Sequence, residues 1–213
     1  MRALVMAKAP VPGLVKTRLG AGIGMEAAAE LAAAALLDTI DTCRSVFAEC
    51  HLALAGRLED AVGSETLRRS LAGWTVHPQR GEGLGGRLAH AHVDAAGVGP
   101  TVQVGMDTPQ LAPDDLRAIA DAALDGDAVL GPAADGGWWV LALSDPSAAA
   151  ALTGVRMSRP DTFTATRDAL AAVGQTVRIG HSLTDVDTVA DAVAVAGSLT
   201  EGRFLHAWRS VTA

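Results

Sequence analysis

Chemistry in this sequence is concentrated in two lysines and in carboxylates that follow apolar runs. Of seventeen Lys and Arg side chains, fifteen are Arg and two are Lys. Both lysines fall in Lys8-Ala9-Pro10-Val11-Pro12-Gly13-Leu14-Val15-Lys16-Thr17-Arg18-Leu19, directly after the apolar run Ala3–Ala7. Lysine is a mobile point charge and arginine a planar fork. Keeping lysine here alone points to a guest that wants point cations, and phosphate is such a guest. Pro12-Gly13 allows the turn that would wrap it. The competing reading is a surface turn with solvated charges. The loop matches neither the P-loop nor Gly-x-Gly-x-x-Gly.

The carboxylates recur in similar places. Gly105-Met106-Asp107-Thr108-Pro109 puts Asp107 at the tip of a buried strand, as a Mg²⁺ ligand or as a local cap before proline. Asp185-Val186-Asp187-Thr188 holds two carboxylates two residues apart, which point the same way in an extended segment. A metal suits that pair, but Asp187 could equally cap a helix starting at Thr188. Pro132-Ala133-Ala134-Asp135-Gly136-Gly137-Trp138-Trp139 offers a carboxylate, two glycines that allow close backbone approach, and two tryptophans of which one should face a pocket. Gly81–Arg87 offers backbone amides and Arg87 to an anion, or is a flexible loop. His90 and His92 point in different directions on a helix and should not chelate. No Ser-His-Asp or Cys-His constellation stands out.

These residues need elements to hold them. Apolar runs mark strands at Arg2–Ala7, Cys50–Ala55, Thr75–His77, Thr101–Gly105, Ala128–Gly131, Trp138–Leu143 and Thr176–Ile179. Helical stretches are expected from Met25 to about Phe47, over 58–71, from Arg87 to Ala96, Pro113 to Leu124, over 160–173, from Thr188 to Ala196 and from Leu199 to Trp208. Alternation of this kind implies a mostly parallel sheet covered on both faces. Ligands then bind beyond the carboxyl ends of the strands, where Lys8, Lys16, Arg18, Asp107, Asp135, Asp185 and Asp187 all fall.

Composition bounds the rest. The chain has 213 residues, 49% of them hydrophobic, with a formal charge of −7. One domain spanning 1–213 is expected. The acidic balance argues against nucleic acid and anionic membranes. Cys43 and Cys50 read as buried thiols of a reducing compartment. Without a signal-like N-terminus or a membrane-length apolar run, a cytoplasmic protein is expected.

Four motifs occur in order: Lys-Ala-Pro-x-Pro-Gly-x-x-Lys-Thr-Arg-Leu (8–19), Gly-x-Asp-x-Pro-x-Leu (105–111), Gly-Pro-Ala-x-Asp-Gly-Gly (131–137) and Asp-x-Asp-Thr (185–188). Together they resemble the radical-SAM/selenodomain-associated transferase family, a group of GT-A-type proteins. The opening loop is also similar to that of phospholactate guanylyltransferases. Trp138 stands where the family usually has Tyr, and Val155-Arg156-Met157-Ser158 lacks the family's Trp before Ser. The resemblance implies a three-layer α/β/α GT-A-type fold, a divalent metal (Mg²⁺ or Mn²⁺) and a nucleotide. It implies phosphate contacts from Lys8, Lys16 and Arg18, and a metal on Asp107 with Asp187. The residues read by themselves add Pro12, Gly13, Thr17, Gly85, Arg87, Gly136 and Gly137 as expected phosphate or nucleotide contacts and Asp185 as an expected metal ligand, with Lys16, Asp107 and Asp135 expected in catalysis. The expected activity is nucleotidyl transfer from an NTP to a small phosphorylated or acidic acceptor, with release of pyrophosphate. The alternatives are glycosyl transfer from a nucleotide-diphospho-sugar, or nucleotide binding without catalysis. The expected partners are a nucleotide and a small-molecule acceptor, with room for a homodimer.

Overall fold

A computed structural model describes residues 1–212. Seven strands form one sheet in the order β3-β2-β1-β4-β6-β5-β7. They are β1 (Arg2–Lys8), β2 (Glu49–Ala55), β3 (Thr75–Pro78), β4 (Thr101–Gly105), β5 (Ala128–Pro132), β6 (Trp138–Leu143) and β7 (Val177–Ile179). β1, β2, β3 and β4 run parallel, as do β5 and β7. β6 is antiparallel to both of its neighbours, β4 and β5. The sheet is therefore mostly parallel with one reversed strand, because β5 and β6 are joined by a short hairpin-like turn that cannot cross over.

Side-chain alternation splits the core between the two faces. Ala3, Val5 and Ala7 of β1 pack toward α2 (Met25–Val46), α3 (Ser64–Ser70) and α5 (Pro113–Leu124). Leu4 and Met6 pack toward α4 (Gly83–Asp94), α6 (Thr162–Ala172) and a 3-10 stretch, Pro146–Gly154. Both faces of β1 are buried, as a central parallel strand requires. A third cluster joins α2 to α1 (Thr17–Ile23), α7 (Val189–Ser198) and α8 (Arg203–Val211) through Leu19, Leu31, Val186 and Phe204. Among the described residues no helix is long and apolar enough to cross a membrane.

Some elements differ from the sequence expectation. The short helix α1 follows the lysine loop without a gap. α4 begins at Gly83, so most of the expected glycine-rich loop is helix. Residues 58–71 divide into a 3-10 turn, Leu58–Asp60, and α3. The last helix starts at Arg203, where Asp38 accepts from the Arg203 and Phe204 amides and so satisfies its first turn.

Candidate active site

β1, β4 and β5 end on one rim, and the polypeptide departs from β1 toward β2 on one side while β4 lies on the other. Such a switch point opens a crevice beyond the carboxyl ends of the strands. The lysine loop starts there. Ala9 N–H donates to Ala55 O at 2.8 Å, which holds the loop to β2, and Gly13 takes φ 75° in the turn that follows. Lys16 then enters α1 with φ 47° and ψ 41°. A left-handed lysine costs about 1–2 kcal/mol. What holds it is its side chain: Nζ lies 2.8 Å from Asp107 Oδ2 and 2.8 Å from Asp187 Oδ1, and only 9% of that side chain is exposed.

The two aspartates come together because Val186 N–H donates to Asp107 O at 2.9 Å, laying the 185–187 segment against the end of β4. Neither Asp107 nor Asp187 is spent on a cap. Thr188 caps α7 in a reciprocal box with Asp191, whose Oδ2 accepts from the Thr188 amide at 2.8 Å. In α5 the Ala112 amide is taken by Asp115 Oδ2 at 3.1 Å. Asp187 is thus free to pair with both Lys16 and Arg18.

Charge is not balanced across the cluster. Burial, and next the neighbouring Asp107, push Asp185 up to about 7 against the pull of Lys16, with Asp135 and Asp187 adding to the rise. Burial also works against ionised Asp187, but Lys16 and Arg18 outweigh it and hold its carboxyl below the usual range. Burial likewise opposes charged Lys16, and Asp107 and Asp187 hold its ammonium above its ordinary value. Asp107 Oδ1 is buried with no hydrogen-bond partner. A surplus of carboxylate oxygen and an unpartnered one among them is the donor chemistry of a hard divalent cation. Among the described residues no three such groups are already closed into a cage.

Cavities lie on either side of Asp107. One, of about 540 Å³, is bordered by Lys8, Lys16, Thr17, Arg18, Asp107 and Ser158. The other, of about 250 Å³, is bordered by Asp107, Asp135, Asp185, Gly137 and Trp138, and again by Ser158. The structure thus brings together Lys8, Lys16, Thr17, Arg18, Asp107, Asp135, Asp185, Asp187 and Gly137 from the expected set. Lys8 Nζ is turned onto the carbonyl of Leu14, and Pro12 and Gly13 shape the turn without bordering either cavity.

Three further expected residues lie apart from both cavities. Gly85 is buried in the first turn of α4, where a Cβ would lie 2.2 Å from Leu152 O; its role is helix packing. Arg87 borders neither cavity and donates Nε–H to Gly83 O at 3.1 Å. Gly136, with φ 89°, borders neither cavity and lies against Pro160 O, 2.2 Å from where its Cβ would be. Both tryptophans border the smaller cavity, though they pack with opposite faces of the sheet. Trp139 donates to His181 O at 2.9 Å and Trp138 to Thr166 Oγ1 at 3.1 Å. Ser158 entered the sequence reading only within a departure from a family motif, and Gln103 did not enter it. Ser158 has φ 58°, a left-handed non-glycine where the cavities meet. Gln103 sits mid-strand, where a polar residue in an apolar run was the available signal.

Residues 39–159, more than half of the chain, match the model of a family described as an uncharacterized protein conserved in bacteria (DUF2064). The chain belongs to the DUF2064 family. No curated protein matches this DUF2064 chain in sequence. Among solved structures it is similar to a protein of Desulfovibrio desulfuricans G20, provisionally named a nucleotide-diphospho-sugar transferase. The two are 26% identical with a TM-score of 0.87 over 98% of this chain and 94% of that one. It is also similar to Rv0371c of Mycobacterium tuberculosis H37Rv in a complex with manganese, at 20% identity and a TM-score of 0.58, covering 93% and 99% of the chains. A CMP:2-keto-3-deoxy-manno-octonic acid synthetase complexed with CTP aligns at 12% identity and a TM-score of 0.60, covering 97% and 98%. This DUF2064 chain therefore has the mixed α/β architecture of nucleotide-diphospho-sugar transferase-like proteins, with a mostly parallel sheet of seven strands.

Proposed function

We propose that this protein is a metal-dependent transferase that uses a nucleotide, and that its reaction is nucleotidyl transfer from an NTP to a small acceptor. The observation that carries the reading is the pairing of Lys16 with Asp107 and Asp187 beside a cavity that also meets Lys8 and Arg18. Phosphates have three cations within reach there, more than a diphosphate ester needs. The resemblance of the opening loop to that of phospholactate guanylyltransferases points the same way.

A divalent ion on Asp107, with Asp185 or Asp187, would neutralise charge that builds on the phosphates. With these carboxylates so engaged, the Lys16 ammonium would be free to meet phosphate oxygens. Lys8 and Arg18 flank them and hold the chain of phosphates in line. The acceptor oxygen loses its proton and bonds to the α-phosphorus; the bond from that phosphorus to the β-phosphate oxygen breaks, and pyrophosphate leaves. Asp135, exposed and bordering the smaller cavity, would take the proton. This needs positioning and electrostatics and no covalent nucleophile, in keeping with the lack of a nucleophile motif.

Glycosyl transfer from a nucleotide-diphospho-sugar is the second reading, favoured by the name of the Desulfovibrio relative. Heat-stability shifts separate the two. With Mg²⁺ or Mn²⁺ present, NTPs should stabilise the protein more than nucleotide sugars or NDPs do. In a pyrophosphate-release assay Asp107→Asn should lower turnover by roughly 100-fold or more while the fold survives. Stabilisation by nucleotide sugars or NDPs alone would rule out nucleotidyl transfer.

A further inference from the structure

Three residues border both cavities of the site: Met106, Asp107 and Ser158. A group that passes from a donor in one cavity to an acceptor in the other crosses between them. Met106 is buried and apolar, and Asp107 is a carboxylate already paired with Lys16. Ser158 is exposed, and it alone of the three has a hydroxyl to donate. Its backbone is in an uncommon state. Among the described residues only Lys16 and Ser158 have positive φ without being glycine, and both belong to this site. A left-handed serine persists only where its surroundings over-determine it. Thr162, 4% exposed, does so from both sides. Its Oγ1 accepts from the Arg159 amide at 3.0 Å and donates to Arg156 O at 3.2 Å, and its own amide donates to Arg159 O at 3.0 Å. The Phe163 amide donates to Gly136 O at 2.9 Å, which ties the same segment to the turn that carries Asp135. None of these bonds uses the Ser158 hydroxyl.

We infer that Ser158 is a contact of the reacting phosphoryl group: its Oγ–H donates to a non-bridging oxygen of the α-phosphate, while the β- and γ-phosphates lie with Lys8, Lys16 and Arg18. This rests on the nucleotidyl-transfer reading and adds to it the residue that meets the phosphorus in transit. The cations of the larger cavity serve the pyrophosphate portion, which stays on their side. The α-phosphorus exchanges one oxygen partner for another where the cavities join, and Ser158 stands there. A donor fixed in advance at that point strengthens its bond as charge gathers on the α-phosphate oxygens, with no rearrangement during the step. The strained backbone is what aims it.

The α,β-methylene analogues of the common NTPs, in which CH₂ replaces the oxygen that would leave, test this without turnover. Each is titrated with Mg²⁺ into the intact protein, beside pyrophosphate, and affinities are read by calorimetry. For the analogue that binds best, Ser158→Ala should weaken binding by roughly tenfold, the scale of one hydrogen bond to a charged group, and leave pyrophosphate within about twofold. In ³¹P NMR the shift of the α-phosphorus on binding should shrink in that variant while those of the β- and γ-phosphorus persist. Ser158→Gly relieves the left-handed backbone and so keeps the fold. It should lose as much affinity as Ser158→Ala, because the contact is the hydroxyl. Equal losses for the analogue and pyrophosphate would overturn the inference, as would a glycine variant that binds like wild type. If no analogue binds the wild-type protein, the nucleotide reading fails and this contact with it. If an analogue binds wild type and Ser158→Ala alike, only the contact fails.

Discussion

Lys16→Ala should destabilise the protein and at the same time make it more responsive to divalent metal. The ammonium is 2.8 Å from an oxygen of Asp107 and 2.8 Å from one of Asp187, in a side chain that is 9% exposed. Truncation leaves Asp107 without a cation and Asp187 with Arg18 alone. Breaking a fully buried ion pair costs about 3–5 kcal/mol. Here each carboxylate keeps 34% exposure, so water recovers part of the loss and roughly 1–3 kcal/mol is expected. For a chain of this size that lowers Tm by about 2–12 °C. The alanine keeps the left-handed backbone, so no relief of strain offsets the loss. Arg117→Ala is the control: its partner Asp114 is 93% exposed at 2.6 Å, and such a pair is worth at most about 0.5 kcal/mol. Mn²⁺ should then raise Tm more in Lys16→Ala than in wild type, because the lysine no longer competes for the same carboxylates. NTP affinity should fall nonetheless, by more than for Arg117→Ala. Scanning calorimetry with and without Mn²⁺ and NTP reads all of these. An unchanged Tm, or equal Mn²⁺ stabilisation of both proteins, would refute the claim that Lys16 holds the metal carboxylates.

Two further outcomes follow from His92 and Gly136. Burial holds His92 down to about 4 from 6.5, with Gln103 pulling weakly the other way. The unfolded chain takes up this proton as pH falls through its ordinary pKa, while the folded chain resists until about pH 4. Stability is therefore lost between about pH 6.5 and about pH 4, by up to roughly 3 kcal/mol, and levels off below. His92→Leu should flatten that slope in urea unfolding series; an equally steep slope would exclude His92 as its source. Gly136→Ala places a Cβ 2.2 Å from Pro160 O at φ 89°, so a loss of at least about 2 kcal/mol is expected. A Tm within about a degree of wild type would show that the 156–160 segment yields freely.

Local sequence determined the strands, the long helices and the rim. Apolar runs such as Ala3–Ala7 and Thr101–Gly105 have nowhere to go but a buried parallel sheet, and the loops after them must share an edge. The placement of both lysines in one such loop, opposite Asp107 and Asp187, was legible for the same reason. Local rules failed where the partner is distant. Gly85 and Gly136 look like ligand glycines, but Leu152 O and Pro160 O lie against them. The left-handed turn at Ser158 and the burial of Gln103 depend on packing that no spacing records. Above all, sequence presented the lysines and aspartates as two halves of a site with a ligand between them. Tertiary structure joined Lys16 directly to Asp107 and Asp187, because a buried ammonium needs carboxylate partners to offset its lost hydration.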